Sequence, residues 1–377
     1  MPGIIPSRVT IDINLSTLSA NFRKIREAVP PLGVIAVLKA NAYGLGLPEI
    51  ASRLGSEGAA AIATAELSEA IVAQQATSGT IPILILGSLL PYEIEPAINA
   101  GFRIPIAGLA EAEAVSATAV RLGKPAICHY AIDTGMSRVG FHPEEADALL
   151  PRIASLPNLV SEGIYSHFPT ANIPNDAPTA TQVGEFKKLL ASLAGKGLRF
   201  PMIHIANSDG INNVPDSYAR PFTHVRTGIN LFGSFDPLGN RRLHVKPVFT
   251  IRAYLAQVRH VRAGDSIGYG RTFICPRDLL VGTVAAGYAD GLPLALSNRG
   301  TLLLRGKHCP VIGRICMDYT TISLDQVPDA RPGEEIVCLG QQLNESIQMD
   351  SWTNLKGTHP YEILCAIGSR VRRNYII

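Results

Sequence analysis

The sequence predicts an α/β protein: an N-terminal (β/α)8 TIM-type barrel followed by a mostly β C-terminal domain. Three observations carry the prediction. Eight short β-type runs alternate with helical patterns over about 230 residues, the usual size of such a barrel. The helical periodicity then fades across Phe235-Asp-Pro-Leu-Gly-Asn-Arg-Arg-Leu-His-Val-Lys-Pro247, a turn-rich stretch that reads as a linker. Beyond it the apolar runs are β-type with turns between them. A doubly wound open sheet is the runner-up, but no G-x-G-x-x-G follows the first strand of the alternation.

The elements follow in order. Val9–Ile13 reads as a short strand, after which Asn14 or Ser16 can cap a helix with Leu15, Leu18, Phe22 and Ile25 on one face. This first strand is placed to pack with the C-terminal domain. The domains are set at 1–241 and 242–377. Barrel strands are expected at 34–38, 60–63, 82–86, 103–106, 126–132, 159–165, 202–206 and 223–226. Helices between them include Ala65–Gln75, Ala110–Leu122, Pro143–Ala154 and Thr181–Leu193. Pro143 suits a first helical turn. In the last helix Val183, Phe186, Leu190 and Leu193 mark the apolar face. In the C-terminal domain Phe249–Leu255, Leu280–Ala286, Thr301–Leu304 and Glu335–Leu339 read as strands, and Arg305-Gly-Lys-His308 as a hairpin turn.

Composition narrows the function classes. Apolar residues make up 46% of the 377 and charged residues 17%, so large cores can form. A net charge of +3 gives no reason to expect nucleic acid or an anionic membrane surface. No apolar run is long enough to span a bilayer. Met1 to Arg8 does not read as a signal peptide. The cysteines at 128, 275, 309, 316, 338 and 365 form no C-x-x-C pair. That argues against zinc or dithiol chemistry and suits a reduced, cytoplasmic protein with no metal site.

In a barrel, chemistry sits at the C-terminal ends of the strands, and the unusual polar residues of this sequence gather there. Lys39 closes the run Val34-Ile-Ala-Val-Leu-Lys39 and opens a turn containing Tyr43. It is either a snorkelling edge lysine or an amine held for covalent chemistry. Asp133 and Arg138 follow the fifth strand and His167 the sixth. Asn207 and Ser208 follow the seventh, and Arg226 and Gly228 end the eighth. Taken singly, each is an ordinary loop or core residue; together they share one face. Ser208 and Gly228 lie in the loops that often bind phosphate in barrels. A lysine amine, a phosphate nest and an arginine suit one cofactor, pyridoxal 5′-phosphate.

These residues are similar to a known set. Val37-Leu-Lys-Ala-Asn-Ala-Tyr-Gly-Leu-Gly46 resembles the cofactor-lysine motif of the alanine racemases. Gly264-Asp-Ser-Ile-Gly-Tyr-Gly-Arg-Thr-Phe273, Ala286-Gly-Tyr-Ala-Asp-Gly291, Gly313-Arg-Ile-Cys-Met-Asp318 and Tyr361-Glu-Ile-Leu364 resemble that family in order and spacing. The resemblance runs from about Val9 to Tyr375. It implies a barrel plus a β domain, a homodimer with shared active sites, and L-/D-alanine interconversion that supplies peptidoglycan or serves catabolism. It implies Lys39 as the Schiff-base lysine and one catalytic base, and Tyr269 of the partner subunit as the other. His167 is then expected to bond Tyr269, with Arg226 behind it and facing the pyridine nitrogen. Burial is expected to lower the pKa of Lys39. The phosphate is expected on Tyr43, Ser208, Gly228, Ile229 and Tyr361, with Asn207 beside it. The substrate carboxylate is expected at Arg138 and the Met317 N–H. Tyr288 and Tyr361 narrow the entrance, with Asn172 and Arg314 farther out.

The match breaks at several positions. Ala131 stands where the family commonly has a lysine beside Arg138, so a chloride, another side chain or water is expected there. Asn172, Leu294 and His359 replace an aspartate, an arginine and a small aliphatic residue of the outer channel. They keep a broader amino-acid racemase, acting for example on serine, as the main rival. A non-catalytic pyridoxal-phosphate protein is disfavoured by the second domain and Tyr269. A decarboxylase of the same fold group is disfavoured because no glycine-rich phosphate loop is found. A Schiff-base aldolase is disfavoured by Tyr43, Ser208 and Gly228.

Overall fold

The computed structural model describes residues 7–377 and resolves into two units, Leu18–Lys246 and a second formed by residues up to Thr17 with Pro247–Ile377. The chain enters the second unit first. β1 (Val9–Asn14) buries Val9, Ile11 and Ile13 on one face, the period-two pattern of a half-buried strand. It pairs antiparallel with β10 (Phe249–Val261) and parallel with the C-terminal strand Arg372–Ile376. Asn14 accepts the Thr17 N–H at 2.7 Å and caps the helix Leu15–Ala28.

The first unit is a closed parallel barrel of eight strands. They are β2 (Gly33–Val37), β3 (Ala61–Thr64), β4 (Ile83–Ile85), β5 (Arg103–Ile106), β6 (Ala126–Ala131), β7 (Leu159–Tyr165), β8 (Met202–His204) and β9 (His224–Thr227). β9 pairs with β2, from Gly33 with His224 to Ala36 with Thr227, and closes the ring. β2 to β4 are apolar almost throughout because both faces of a parallel strand are covered, whereas β5 to β9 also carry polar residues, among them Arg103, His129, Glu162, His204 and Arg226.

The division falls at Lys246, not at 241/242 as the sequence suggests. Residues 243–246 are tied to the barrel by hydrogen bonds that composition does not show. The Leu243 N–H donates to Asn212 Oδ1 (3.1 Å), Lys24 Nζ to the His244 carbonyl (2.6 Å), and the Lys246 N–H to Asn21 Oδ1 (2.9 Å).

In the second unit the 13-residue β10 is the organising strand, pairing with β1, Leu279–Val284 and Glu335–Gln342. The pairing of Leu304 with Lys307 leaves Arg305-Gly306 as a two-residue turn with φ of 51° and 69°. Lys307 and His308, expected in the turn, are strand residues. The unit also carries the short helices Met349–Lys356 and Pro360–Cys365. Among the described residues no helix is long and apolar enough to cross a membrane, and no cluster of three or more His, Cys, Asp or Glu is placed to hold a metal.

Candidate active site

Lys39 lies two residues beyond the end of β2, at the C-terminal mouth of the barrel. Its side chain is exposed in the single chain, so the burial expected from the sequence is not supplied by the barrel alone. What the local sequence builds there is a left-handed turn. Ala40, Asn41, Ala42 and Tyr43 have φ of 53°, 53°, 52° and 56°. For residues with a Cβ this costs roughly 1–2 kcal/mol each. Neighbours hold it in place. The Ala42 N–H donates to the Leu38 carbonyl (2.8 Å) and the Gly46 N–H to the Asn41 carbonyl (2.9 Å). The Asn41 side chain accepts the Leu47 N–H (2.8 Å). Gly44, at φ 82°, ends the turn where a left-handed residue is cheapest.

Arg226, third residue of β9, is buried at 4% exposure and fixed from several sides. Its Nη1 donates to His204 Nδ1 (2.6 Å) and the His204 carbonyl (3.1 Å). Its Nη2 donates to the carbonyls of Ser166 (2.7 Å) and Ile205 (3.2 Å) and to His167 Nδ1 (3.2 Å). Both terminal nitrogens are thereby engaged, and Nε–H is the donor with no acceptor among the described residues. Burial, with Arg138 nearby, brings the guanidinium down to about 10, so it stays charged at neutral pH. Burial also pushes His167 down to about 3, aided by the charges of Arg226, Arg138 and Lys39. His167 is therefore neutral. Because its Nδ1 accepts from Arg226, its proton sits on Nε2.

Beside these groups the loops after β8 and β9 meet. Asn207 Oδ1 accepts the Gly210 N–H (2.8 Å) and caps the helix Ser208–Asn213. Ser208 Oγ accepts the Gly228 N–H (3.0 Å), joining the ends of β8 and β9. A Cβ at Gly228 would stand 2.2 Å from the Tyr43 hydroxyl, so only glycine lets the tyrosine close over this loop. Ile229 opens a 3₁₀ turn whose first N–H groups have no preceding turn to supply acceptors. Such donors suit a phosphate.

The second unit presents a separate cluster. Tyr269 is 71% exposed and follows Gly268, whose Cα packs on the Arg314 backbone. The Tyr288 and Ala289 N–H groups donate to the carbonyls of Cys316 (3.0 Å) and Met317 (3.1 Å). Gly287 permits this approach, since a Cβ there would meet both carbonyl oxygens at 2.3 Å. Tyr269, Arg314, Met317 and Tyr288 thus come from adjoining loops and are all exposed. His359 caps the helix that carries Tyr361, and the two rings lie edge to face at 5.5 Å.

Known proteins identify this combination. The family models described as alanine racemase N-terminal and C-terminal domains match residues 13–236 and 248–375. The chain belongs to the alanine racemase family. Its activity is that of an amino-acid racemase. It is 36% identical over 370 residues to an alanine racemase of Carboxydothermus hydrogenoformans, covering 98% of this chain and 99% of that one. The solved alanine racemase of Streptomyces coelicolor is 32% identical with a TM-score of 0.92, covering 98% of each chain. The Bartonella henselae alanine racemase, described with covalently bound pyridoxal phosphate, is 29% identical with a TM-score of 0.87, covering 98% of this chain and 100% of that one.

The alanine racemase family implies pyridoxal 5′-phosphate, and the chemistry of the residues present fits it: an amine at Lys39, hydroxyl and backbone donors at Ser208, Gly228 and Ile229, and the charged donor Arg226. Lys39, Tyr43, His167, Asn207, Ser208, Arg226, Gly228 and Ile229 all belong to the barrel unit, while Tyr269, Tyr288, Arg314, Met317 and Tyr361 belong to the second. Asn207 serves through its cap. Asp133 is a turn former, accepting the N–H groups of Gly135, Met136 and Ser137 at 2.9–3.0 Å. Arg138 is exposed and has no hydrogen bond or ion pair among the described residues, so no described side chain of this chain takes the place left by Ala131. Asn172 donates to Asp236 Oδ1 (3.1 Å).

Two contributors escaped the sequence reading. His204 was visible only as part of a motif, yet it orients Arg226. Gln182 donates to the His167 carbonyl (3.0 Å) and to Thr134 Oγ1 (3.1 Å) from a helix whose pattern reads as plain core packing.

Proposed function

We propose that the chain interconverts L- and D-alanine, with Lys39 holding pyridoxal 5′-phosphate covalently and Tyr269 of a second copy acting as the opposite base. The observation that carries this reading is the fixed Arg226. Five hydrogen bonds spend its terminal nitrogens on the protein, which leaves Nε–H to meet a ring nitrogen. A guanidinium keeps its proton. When bound, the cofactor supplies the electron sink that acidifies the substrate Cα–H. Arg226 moderates that sink, because it donates a hydrogen bond without transferring the proton. The anion nest of Ser208, Gly228 and Ile229, closed by Tyr43, holds the phosphate.

His167 has one proton, on Nε2, to offer a phenolate oxygen. That donation lowers the basicity gap Tyr269 must cross to serve as a base. Lys39 takes or returns the proton on one face of the α-carbon and Tyr269 on the other. Arg138 and the Met317 N–H receive the substrate carboxylate. The exposure of Tyr269, Tyr288 and Met317 supports a homodimer in which the β unit of one chain completes the barrel of another. We place this small-molecule enzyme in the cytoplasm, supplying D-alanine for peptidoglycan.

Incubation of the purified yellow protein with single L-amino acids tests the reading. D-alanine is expected as the dominant product, and borohydride is expected to bleach the colour. Lys39→Ala should lose both. Comparable D-serine formation would instead favour the broader racemase, and full activity of Lys39→Ala would overturn the proposal.

A further inference from the structure

The left-handed turn after Lys39 is also held from the loop after β3. Glu69 sits in the first turn of the helix Leu67–Ala76, beyond the end of β3. Its Oε1 accepts the Asn41 N–H at 3.0 Å and its Oε2 accepts the Ala65 N–H at 3.0 Å. One carboxylate thus bridges the loops that follow two neighbouring barrel strands. β2 is itself fixed to β3 just before the turn, where the Leu38 N–H donates to the Ala63 carbonyl at 2.8 Å.

The turn separates two functional ends. Lys39 precedes it, and Tyr43 closes it with its hydroxyl over Gly228. The Tyr43 ring is further held edge-on by Phe232 at 5.6 Å. Residues with a Cβ do not stay left-handed over four positions unless the surroundings impose it. Asn41 is the middle of that imposition. Its N–H goes to Glu69, its side chain to Leu47 and its carbonyl to Gly46. Only the Glu69 bond reaches across to another strand's loop.

We propose that Glu69 is a positioning residue: its carboxylate clamps the left-handed turn and so sets the spacing between the Lys39 amine and the Tyr43 hydroxyl at the anion nest. The inference rests on the reading of Lys39 and the nest as the two ends of one cofactor site. Glu69 does not touch the reacting atoms. A carboxylate is required because both partners are donors. Glu69→Gln offers one acceptor oxygen and one NH₂, so it keeps one of the two bonds and turns a donor against the other.

The test uses Glu69→Ala, Glu69→Gln and the double variant Glu69→Ala/Ala40→Gly, with Glu66→Gln as a control on the same loop that does not touch the turn. Glycine is at ease at the Ala40 φ, so the double variant relieves strain without restoring the clamp. Two quantities are measured: backbone hydrogen exchange of the cofactor-free protein, and the dissociation constant of pyridoxal phosphate by absorbance titration. Glu69→Ala should speed exchange across residues 40–46 and weaken pyridoxal phosphate by roughly 10- to 100-fold, the range for a charge-assisted hydrogen bond. Glu69→Gln should fall between, Ala40→Gly should recover part of both losses, and Glu66→Gln should match the wild type. Unchanged exchange and affinity in Glu69→Ala would overturn the proposal. So would exchange that rises evenly through all barrel strands with no rescue by Ala40→Gly, for that marks general support of the fold. If the wild-type protein takes up no pyridoxal phosphate, the cofactor reading fails on its own, and the exchange arm still decides whether Glu69 clamps the turn.

Discussion

The barrel mouth and the exposed loops around Tyr269 are built on opposite terms. At the mouth, Arg226 is buried and its two terminal nitrogens make five hydrogen bonds within the unit. Around Tyr269, the tyrosine is 71% exposed, Met317 52% and Tyr288 42%. Single apolar side chains on a surface are ordinary, and three on adjoining loops are what the proposed second copy would cover. The first region is held by its own bonds, and the second is left open to solvent. Under the proposed shared site, catalysis would depend on assembly through the second region and not through the first.

The contrast is sharpest for Tyr269→Phe. Removing one hydroxyl from an exposed side chain should change unfolding free energy by less than about 0.5 kcal/mol. Activity should fall by roughly 10²–10⁴, the usual contribution of a positioned acid–base group. The loss should be unequal in the two directions, read as solvent-deuterium incorporation starting from L- and from D-alanine. Equal and mild effects in both directions would remove Tyr269 from the base pair.

Arg226→Ala probes the other region and should reverse the balance between stability and local exposure. The substitution leaves His204 Nδ1 and the carbonyls of Ser166 and Ile205 without their donor. Leaving buried acceptors without their donor costs about 1–3 kcal/mol. Urea unfolding should show that loss in the barrel unit. A change below about 1 kcal/mol would mean that the mouth is not held by this network.

Much of this was legible in the sequence, and what was not has identifiable causes. The early strands announce themselves as continuous apolar runs of doubly covered parallel strands, and the later ones by β-type residues alternating with helical patterns. Lys39, Ser208 and Gly228 stand out as polar or small residues at strand ends. The left-handed turn does not, since Ala40, Asn41 and Ala42 carry no glycine signal and are held by partners distant in sequence. Glu69, 28 residues downstream of Asn41, looks like any acidic residue in a first helical turn. The division lies five residues beyond 241 because the bonds of Leu243 and Lys246 to Asn212 and Asn21 are contacts distant in sequence. Exposure of Lys39 was equally invisible, since a strand ending in lysine does not say what covers it.

The smallest effect concerns acid. His167 is held down to about 3, first by burial and then by the positive charges of Arg226, Arg138 and Lys39. Burial likewise lowers His129, His204 and His224, with the charge of Arg226 as the next cause for His204. In the unfolded chain these rings return to the ordinary value of 6.5. Between about 3 and 6.5 the unfolded chain therefore binds protons that the folded barrel refuses, so stability rises with pH. The contribution is complete above 6.5 and is lost progressively as pH falls toward 3. For His167 alone the loss at pH 5 is on the order of 1–2 kcal/mol. His167→Gln keeps an acceptor for Arg226 and cannot titrate. Its unfolding free energy should fall less steeply between pH 7 and pH 5 than the wild type's. Matching slopes would show that His167 is protonated in the folded protein, and a charged His167 could not keep Nδ1 as the acceptor of Arg226.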